Sequence, residues 1–194
     1  MRPSTKQPKA SIKQPKRRNA PRTRAEILRA ATKAFSTHGY GQAGIRQIAA
    51  LAGITSPMLL RYFGSKAGLF EAALSEALRA DAVLEYERDR FGETLVRALL
   101  DSTADISAPL ILALSAGDPE AREIAARAMG ESMEPVAKWL GAPDAQVRAF
   151  KILVLAMGFV LCARVYPFTT NDKAAERKVT KWFAETVQSI VEQA

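Results

Sequence analysis

The chain has 194 residues, a formal net charge of +8 and one cysteine, Cys162. A single cysteine excludes an internal disulfide. Because the chain also has only one histidine, a zinc site made of histidine and cysteine ligands is close to excluded. We therefore expect no metal and no cofactor. The longest uncharged apolar run, residues 152–163, has 12 residues and is too short to span a bilayer, and the N-terminus lacks the apolar core of a signal peptide. We therefore expect a cytoplasmic protein without a membrane partner.

The positive charge is concentrated at the N-terminus. Nine lysines and arginines lie within residues 1–24, whereas the rest of the chain carries 19 basic and 20 acidic residues. Residues 1–22 also contain almost no apolar side chains and cannot bury enough surface to offset the entropy lost on folding, so they are predicted to form a disordered basic arm. A basic arm on a mildly acidic body indicates a polyanionic partner.

A helix is predicted to begin directly after the arm. Thr23 and Glu26 have the spacing of a capping box, and Gly39 is placed to end the helix. Apolar side chains recur between them at helical spacing. These are Ile27, Leu28, Ala31, Ala34 and Phe35.

A helix-turn-helix pattern covers residues 45–62. A short predicted helix, residues 45–52, is followed by Gly53, which can adopt a positive φ and turn the chain. Ser56 as N-cap and Pro57 in the first helical position then begin a second helix. This second helix is too short to be stable alone, so it must pack against its neighbours.

The rest of the chain is predicted to form further helices separated by glycine and proline. They are residues 65–78, 93–106, 109–117, 118–140, 144–166 and 172–193. Within residues 118–140 the helix is predicted to weaken at Gly130 and to kink or restart at Pro135. Because alanine and leucine dominate the composition, we expect an all-α fold of about nine helices. Residues 23–70 would form the helix-turn-helix domain, and residues 71–194 a helical dimerisation and ligand-binding domain.

Residues 24–70 resemble the DNA-binding domain of the TetR (tetracycline-repressor-like) family. The matching residues are Gly39-Tyr40, Ile45-Arg46-Gln47-Ile48-Ala49, Ala52-Gly53-Ile54-Thr55, Arg61-Tyr62-Phe63-Gly64-Ser65-Lys66 and Leu69-Phe70. Spacing and residue types agree over about 47 positions, whereas the C-terminal two thirds are similar to the family only in length and helical content. The resemblance implies a sequence-specific DNA-binding transcriptional regulator, a repressor rather than an enzyme.

The resemblance also implies DNA contacts for eight side chains. These are Thr55, Ser56, Pro57 and Met58 near base edges at the start of the recognition helix, Arg61 and Tyr62 further along it, Lys66 at the start of the fourth helix and Arg46 in the first turn of the second helix. Three positions depart from the family pattern: hydroxyl residues are common at positions 43 and 44, and tyrosine at position 60. Here these positions hold Ala43, Gly44 and Leu60, so hydroxyl groups that anchor phosphates are predicted to be missing.

Two predicted helices favour a homodimer. The second half of residues 144–166 is apolar on nearly every side, and residues 172–193 carry an apolar stripe of their own. In the family the last two long helices pair with those of a second subunit in a four-helix bundle. A two-fold dimer predicts a palindromic double-stranded DNA operator with half-sites about 34–36 Å apart, or a multiple of that distance.

Four large side chains are candidates for lining a ligand cavity, namely Met129, Met133, Trp139 and Phe159. Ordinary core packing is the alternative, and it is the commoner use of such residues. The resemblance implies a small, largely apolar inducer that favours a spacing of the two recognition helices unsuited to DNA.

Two other classes of protein agree less well with the sequence. An enzyme is disfavoured because the chain contains no nucleophile elbow, no glycine-rich phosphate loop and no cluster with metal-ligand spacing. The alternative function is a basic-armed helical dimer that binds DNA without sequence preference. This alternative predicts weak, salt-sensitive DNA binding that is equal for all DNA sequences.

Deleting residues 1–22 is expected to flatten the plot of log K against log salt concentration by ~3 units per subunit, if three arm cations per subunit replace the missing hydroxyl anchors at phosphates. The measurement is duplex binding by the full-length and the truncated chain between roughly 50 and 200 mM salt. An unchanged slope would mean that the arm does not contact DNA.

Overall fold

The computed structural model describes residues 20–166 and 172–193, and within these ranges the fold is all-α, as predicted. The helices of this part of the chain are α1 (Ala20–Gln42), α2 (Ile45–Leu51), α3 (Ser56–Phe63), α4 (Lys66–Ala77), α5 (Phe91–Leu100), α6 (Ser107–Ser115), α7 (Pro119–Leu140), α8 (Ala145–Val160) and α9 (Lys173–Glu192). Two short 3₁₀ segments, Asp81–Glu85 and Arg88–Arg90, connect α4 to α5, and a π-helical turn, Leu161–Val165, extends α8. Most of the predicted arm, residues 1–19, lies outside the described residues.

The first helix begins earlier than the sequence predicted. α1 starts at Ala20, so residues 20–22 of the predicted arm are helical. Thr23 is buried inside α1 and cannot be its N-cap, which corrects the capping-box interpretation, because an N-cap residue lies just outside the helix. Glu26 instead accepts a hydrogen bond from Arg22 one turn earlier, with Nε and Oε1 3.0 Å apart.

The helix-turn-helix has bounds close to those predicted. Gly53 has a φ of 64° at the turn between α2 and α3. The N-cap of α3 is Thr55 rather than Ser56, so Pro57 is the second helical residue instead of the first. Leu59 is the fully buried residue of α3 and anchors this short helix to the core. Burial of this kind stabilises a helix that is too short to hold together alone.

The connection between α5 and α6 begins earlier than predicted. α5 ends at Leu100 instead of continuing to residue 106, because Asp101 leaves the helical region with φ −59° and ψ 119°. The Asp101 carboxylate accepts hydrogen bonds from the Thr103 amide at 2.8 Å and from the Thr103 hydroxyl at 2.7 Å. These bonds lower the pKa of Asp101 and favour the turn over another turn of helix.

α7 is one continuous helix of 22 residues, so the predicted weakening at Gly130 and restart at Pro135 are not observed, whereas a bend at Pro135 stays a prediction. Asp118 caps its start, where the carboxylate accepts a hydrogen bond from the Ala121 amide at 3.0 Å. A proline inside a helix removes one hydrogen bond, which normally bends the helix. Burial of the following turn, including Val136, holds the helix beyond the proline against the second core described below.

Two hydrophobic cores build the described part of the chain. The first combines α1 to α4 with residues of α6 and of the first half of α7, and the second combines α5, the end of α7, α8 and α9. α6 and α7 enter the first core through buried apolar side chains, including Ile111 and Ile124. The DNA-binding part predicted for residues 23–70 is therefore completed by helices that belong to the C-terminal part of the sequence.

α1 and α6 meet at Gly39. This residue has a φ of 68°, and a Cβ at its position would collide with the Leu114 carbonyl oxygen at the end of α6. The Tyr40 amide donates a hydrogen bond to the Ser115 hydroxyl at 3.0 Å, and this bond is buried. Only glycine permits both the left-handed conformation and this close backbone approach at low cost.

A buried arginine ties together the C-terminal ends of two helices. Arg148 on α8 is 2% exposed and has no carboxylate partner among the described residues. Its guanidinium donates hydrogen bonds to the carbonyl oxygens of Ile190 at 2.8 Å, Val191 at 2.7 Å, Gly141 at 3.2 Å and Pro143 at 3.3 Å. The partial negative charge at the ends of α7 and α9 takes the place of a counter-ion.

The outer face of α8 and α9 carries large apolar side chains that are exposed. They are Val147, Phe150 and Val154 on α8 and Val179 and Trp182 on α9, each between 45% and 55% exposed. Among the described residues one helix, Ala145–Val165, is long and apolar enough to cross a membrane by length and composition alone, and it contains the 12-residue run noted above. One such helix is weak evidence for a membrane span, since a helix of a soluble protein passes the same test.

Gly39→Ala is expected to lower the free energy of unfolding by about 2–3 kcal/mol, because the new methyl group meets the Leu114 carbonyl and the residue is strained at positive φ. Gly41→Ala is the matched control, since nothing lies within 4 Å of a Cβ at that position. It should change stability by less than ~0.5 kcal/mol. Chemical denaturation at a fixed protein concentration measures both, and equal effects would contradict the close contact at Gly39.

Candidate nucleic-acid interface

The second helix of the helix-turn-helix, α3, presents one face to solvent. Leu59 points into the core with 0% of its surface exposed, and Pro57, Leu60 and Arg61 lie on the opposite side of the helix. Of the side chains predicted to contact DNA from this segment, the exposed ones are Thr55, Pro57 and Arg61, and the half-buried ones are Ser56, Met58 and Tyr62. The structure therefore brings these predicted residues together on and around one short exposed helix.

Two arginine side chains at this surface have no partner among the residues that the structure describes. Arg61 on α3 and Arg46 in the first turn of α2 are exposed, and neither forms a hydrogen bond or ion pair with any residue that the structure describes. An arginine without an internal partner keeps all five N–H donors for phosphate oxygens or for the paired acceptors of guanine. Both side chains are suited to a polyanionic ligand.

Lys66 is held against the end of α1. Its Nζ donates a hydrogen bond to the Gly41 carbonyl oxygen at 3.3 Å and lies 4.6 Å from the centroid of the Tyr40 ring. Beside it, the Ser65 hydroxyl caps α4 by accepting a hydrogen bond from the Gly68 amide at 3.0 Å. A positioned cation next to the N-terminus of a helix is a favourable environment for a phosphate group.

Tyr40 connects the interface to the C-terminal helices, a role that the sequence did not indicate. Its hydroxyl donates a hydrogen bond to the Glu120 carboxylate on α7, and its ring lies 4.9 Å from that of Phe70 between centroids. Burial, together with the hydrogen bond and the negative charge of Glu120, raises the pKa of Tyr40 well above its usual range. Tyr40 belongs to the motif, but Glu120 lies 80 residues further along, where no motif pointed to the pair.

The three departures from the family pattern have different consequences in the structure. Ala43 is fully buried, so a hydroxyl there would face the core; the prediction that this position has lost a phosphate anchor is not supported by its location. Gly44 is exposed and precedes α2 as its N-cap without a side-chain hydrogen bond. Leu60 is 38% exposed on the outer face of α3.

The four candidate ligand-cavity residues do not share one cavity. Met129 packs against the first core, and Trp139 packs in the second core beneath the Arg88 guanidinium, whose carbon lies 4.8 Å from the ring centroid. Met133 lines a cavity of about 200 Å³, whereas Phe159 lines a separate one of about 280 Å³ near the end of α8 and the start of α9.

The cavity at Met133 lies among the end of α4, α5, the start of α6, α7 and α8, and its lining is mostly apolar. Its apolar wall includes Leu78, Leu95, Leu99, Ile106, Val136, Ile152 and Met157. The arginines at its edge already have partners: Arg164 donates to the carbonyl oxygens of Ser102 and Ala104 at 3.1 Å, and Arg79 pairs with Asp81. In the ranges described, no group of three or more histidine, cysteine or acidic side chains is placed to hold a metal ion.

Two family models match the chain. Residues 27–73 match bacterial regulatory proteins of the tetR family, and residues 89–191, more than half of the chain, match the tetracyclin repressor-like C-terminal domain. The chain therefore belongs to the TetR family of transcriptional regulators. This confirms the family that residues 24–70 resemble.

Individual relatives agree with this assignment. The HTH-type transcriptional regulator BetI of Stenotrophomonas maltophilia is 33% identical over 97 residues, which are 48% of this chain and 50% of BetI. The HTH-type transcriptional repressor NicS of Pseudomonas putida is 47% identical over 55 residues, 28% of this chain and 26% of NicS. The alignments thus span half or less of the length of these two relatives. The crystal structure of a TetR-family protein from Rhodococcus sp. has the same fold, with a TM-score of 0.69 and 22% identity over 88% of this chain and 98% of that one.

Tyr40→Phe is expected to lower the free energy of unfolding by about 1–2 kcal/mol near pH 7, because the Glu120 carboxylate loses a partly buried hydrogen bond. The folded-state pKa of Tyr40 lies above the unfolded value of 10.0, so this contribution is complete below pH 10 and declines as the pH rises further. Unfolding curves of both proteins from pH 7 to about pH 11 measure the difference. A stability difference that grew with pH would contradict the assignment.

Proposed function

We propose that the protein is a homodimeric TetR-family repressor of the cytoplasm that binds a palindromic DNA operator and is released from it by a small, largely apolar ligand. The observation that carries the proposal is the exposed face of α3, where Arg61 has no partner among the described residues. That face belongs to a helix-turn-helix in a chain of a transcription-regulator family. The name of NicS as a repressor supports repression over activation.

The positions of the side chains support the proposed DNA contacts. In this proposal the N-terminal half of α3 enters the major groove, so that Thr55, Ser56, Pro57 and Met58 approach base edges. Arg61 and Tyr62 contact bases or phosphates. Arg46 and Lys66, at the starts of α2 and α4, hold the phosphates on either side of the groove.

The exposed apolar face of α8 and α9 supports a dimer. Val147, Phe150 and Val154 repeat at spacings of three and four residues on α8, and Trp182 extends the same kind of surface on α9. A cluster of exposed apolar side chains of this kind marks an interaction surface. Pairing this face with its copy buries the patch around a two-fold axis, and this symmetry requires a palindromic operator.

The cavity of about 200 Å³ at Met133 is the proposed ligand site. Its wall includes the start of α6, and α6 packs on the end of α1 at Gly39. A ligand that binds better to the state with mismatched recognition helices would shift the population toward that state, whereas one that binds both states equally could not release DNA. A compound that occupies the cavity without changing operator affinity would contradict this step for that compound.

Selection of bound duplexes from a random DNA pool by the purified full-length protein is the direct test. We expect enrichment of one palindrome.

Arg61→Glu should abolish binding to this palindrome, because the new carboxylate repels the DNA backbone and the substitution removes five hydrogen-bond donors. Arg177→Glu is the matched control, since Arg177 is exposed on α9, forms no hydrogen bond or ion pair with the described residues, and its reversal alters net charge equally. Salt-sensitive binding without enrichment would favour the non-sequence-specific alternative.

Trp182→Glu is expected to raise the dissociation constant of the dimer by ~100-fold or more, because it places a charge in the centre of an apolar interface. Sedimentation velocity over a range of protein concentrations measures the monomer fraction. Arg177→Glu, which changes the charge on another side of α9, should leave the dimer intact. A Trp182→Glu protein that remained dimeric would remove this face from the proposed interface.

A further inference from the structure

The exposed face of α3 is unusual for its chemistry, because two of its three outward side chains are apolar. Leu60 is 38% exposed although Leu59, the residue before it, is completely buried. Pro57 lies one turn earlier on the same side and is also exposed. Since an apolar side chain left in water gains nothing from its environment, this pair is available for burial against a partner.

The major groove of DNA offers one apolar group to such a pair. Base edges in that groove present hydrogen-bond donors and acceptors, and the C5-methyl group of thymine is the exception. Leu60 and Pro57 have no side-chain donor or acceptor and can distinguish bases only through that methyl group. Arg61, beside them, has donors that suit guanine or phosphate and cannot supply the same discrimination.

We propose that Leu60, together with Pro57, is a specificity-determining contact that reads thymine methyl groups in each operator half-site. This inference rests on the proposed function, because it requires α3 to lie in the major groove. Residues 57 and 60 are separated by about 4.5 Å along the helix axis, compared with about 3.4 Å between neighbouring base pairs. The pair therefore covers one thymine or two adjacent ones in a half-site.

The test removes the methyl group and nothing else. The probe is the duplex obtained by selection, with single thymines replaced by deoxyuridine at symmetric positions in the two half-sites. Base pairing and every hydrogen-bonding group stay the same. At the position under Leu60 we expect roughly fourfold weaker binding per half-site, or roughly 15-fold for both, from the loss of one buried methyl contact. At thymines outside the reach of both Leu60 and Pro57 we expect no change.

Two variants assign the effect to the side chain. Leu60→Ala should bind the thymine duplex more weakly than the native protein and should bind the thymine and deoxyuridine duplexes equally. Leu51→Ala is the matched control, because Leu51 is also an exposed leucine of the helix-turn-helix, 55% exposed at the end of α2, but lies off the recognition helix. It should retain the full discrimination. Because both leucines are exposed, the helical circular dichroism and melting temperature of the variants should stay unchanged.

A gain-of-contact measurement complements the loss. Where the thymine–adenine pair under Leu60 is replaced by cytosine–guanine, methylation of that cytosine at C5 should restore tighter binding by roughly fourfold per half-site in the native protein and not in Leu60→Ala. Enrichment of a palindrome whose thymines all tolerate deoxyuridine would overturn this inference and leave the proposed function standing. Failure to enrich any sequence would overturn the proposed function itself.

Discussion

The helix-turn-helix of this protein depends on a support that lies mostly outside it. α2 has seven residues and α3 has eight, and helices of this length are not stable in water by themselves. Their position is set by the aromatic packing of α1 and α4 behind them, where the ring centroids of Phe35 and Phe70 lie 5.1 Å apart and those of Tyr40 and Phe70 lie 4.9 Å apart. The orientation of the exposed face of α3 therefore follows from contacts made behind it.

The same support is shared with the C-terminal helices. Tyr40 takes part in the aromatic packing and also donates to Glu120 on α7, while Gly39 is in close backbone contact with the end of α6. The apolar cavity at Met133 borders the start of α6. α6, a helix of nine residues, thus borders the cavity at its start and contacts α1 at its end. A change in the packing of α6 can therefore shift α1 and, through α1, the helix α3.

Local signals in the sequence predicted the parts of the fold that depend on local chemistry. Gly53 and Pro57 located the helix-turn-helix to within a residue, and Asp118 located the start of α7, because turns and caps are made by neighbouring residues. Errors arose where distant contacts decide. Pro135 does not interrupt α7, since the second core holds the following turn. The pairing of Tyr40 with Glu120 and the separation of Met129 from Met133 depend on how helices pack, and no motif encodes either one.

The close contact between Gly39 and the end of α6 also limits which segments of this protein can be exchanged with those of a relative. A chimera that exchanged only residues 23–70 would place a foreign recognition module against the α6 carbonyl and the Glu120 carboxylate of another scaffold. Both surfaces are fitted to a glycine and a tyrosine of this chain. A functional exchange should carry α6 and the first turn of α7 with the module, even though they are separated from it by more than thirty residues of sequence. The structural unit that supports DNA recognition is thus discontinuous in the chain.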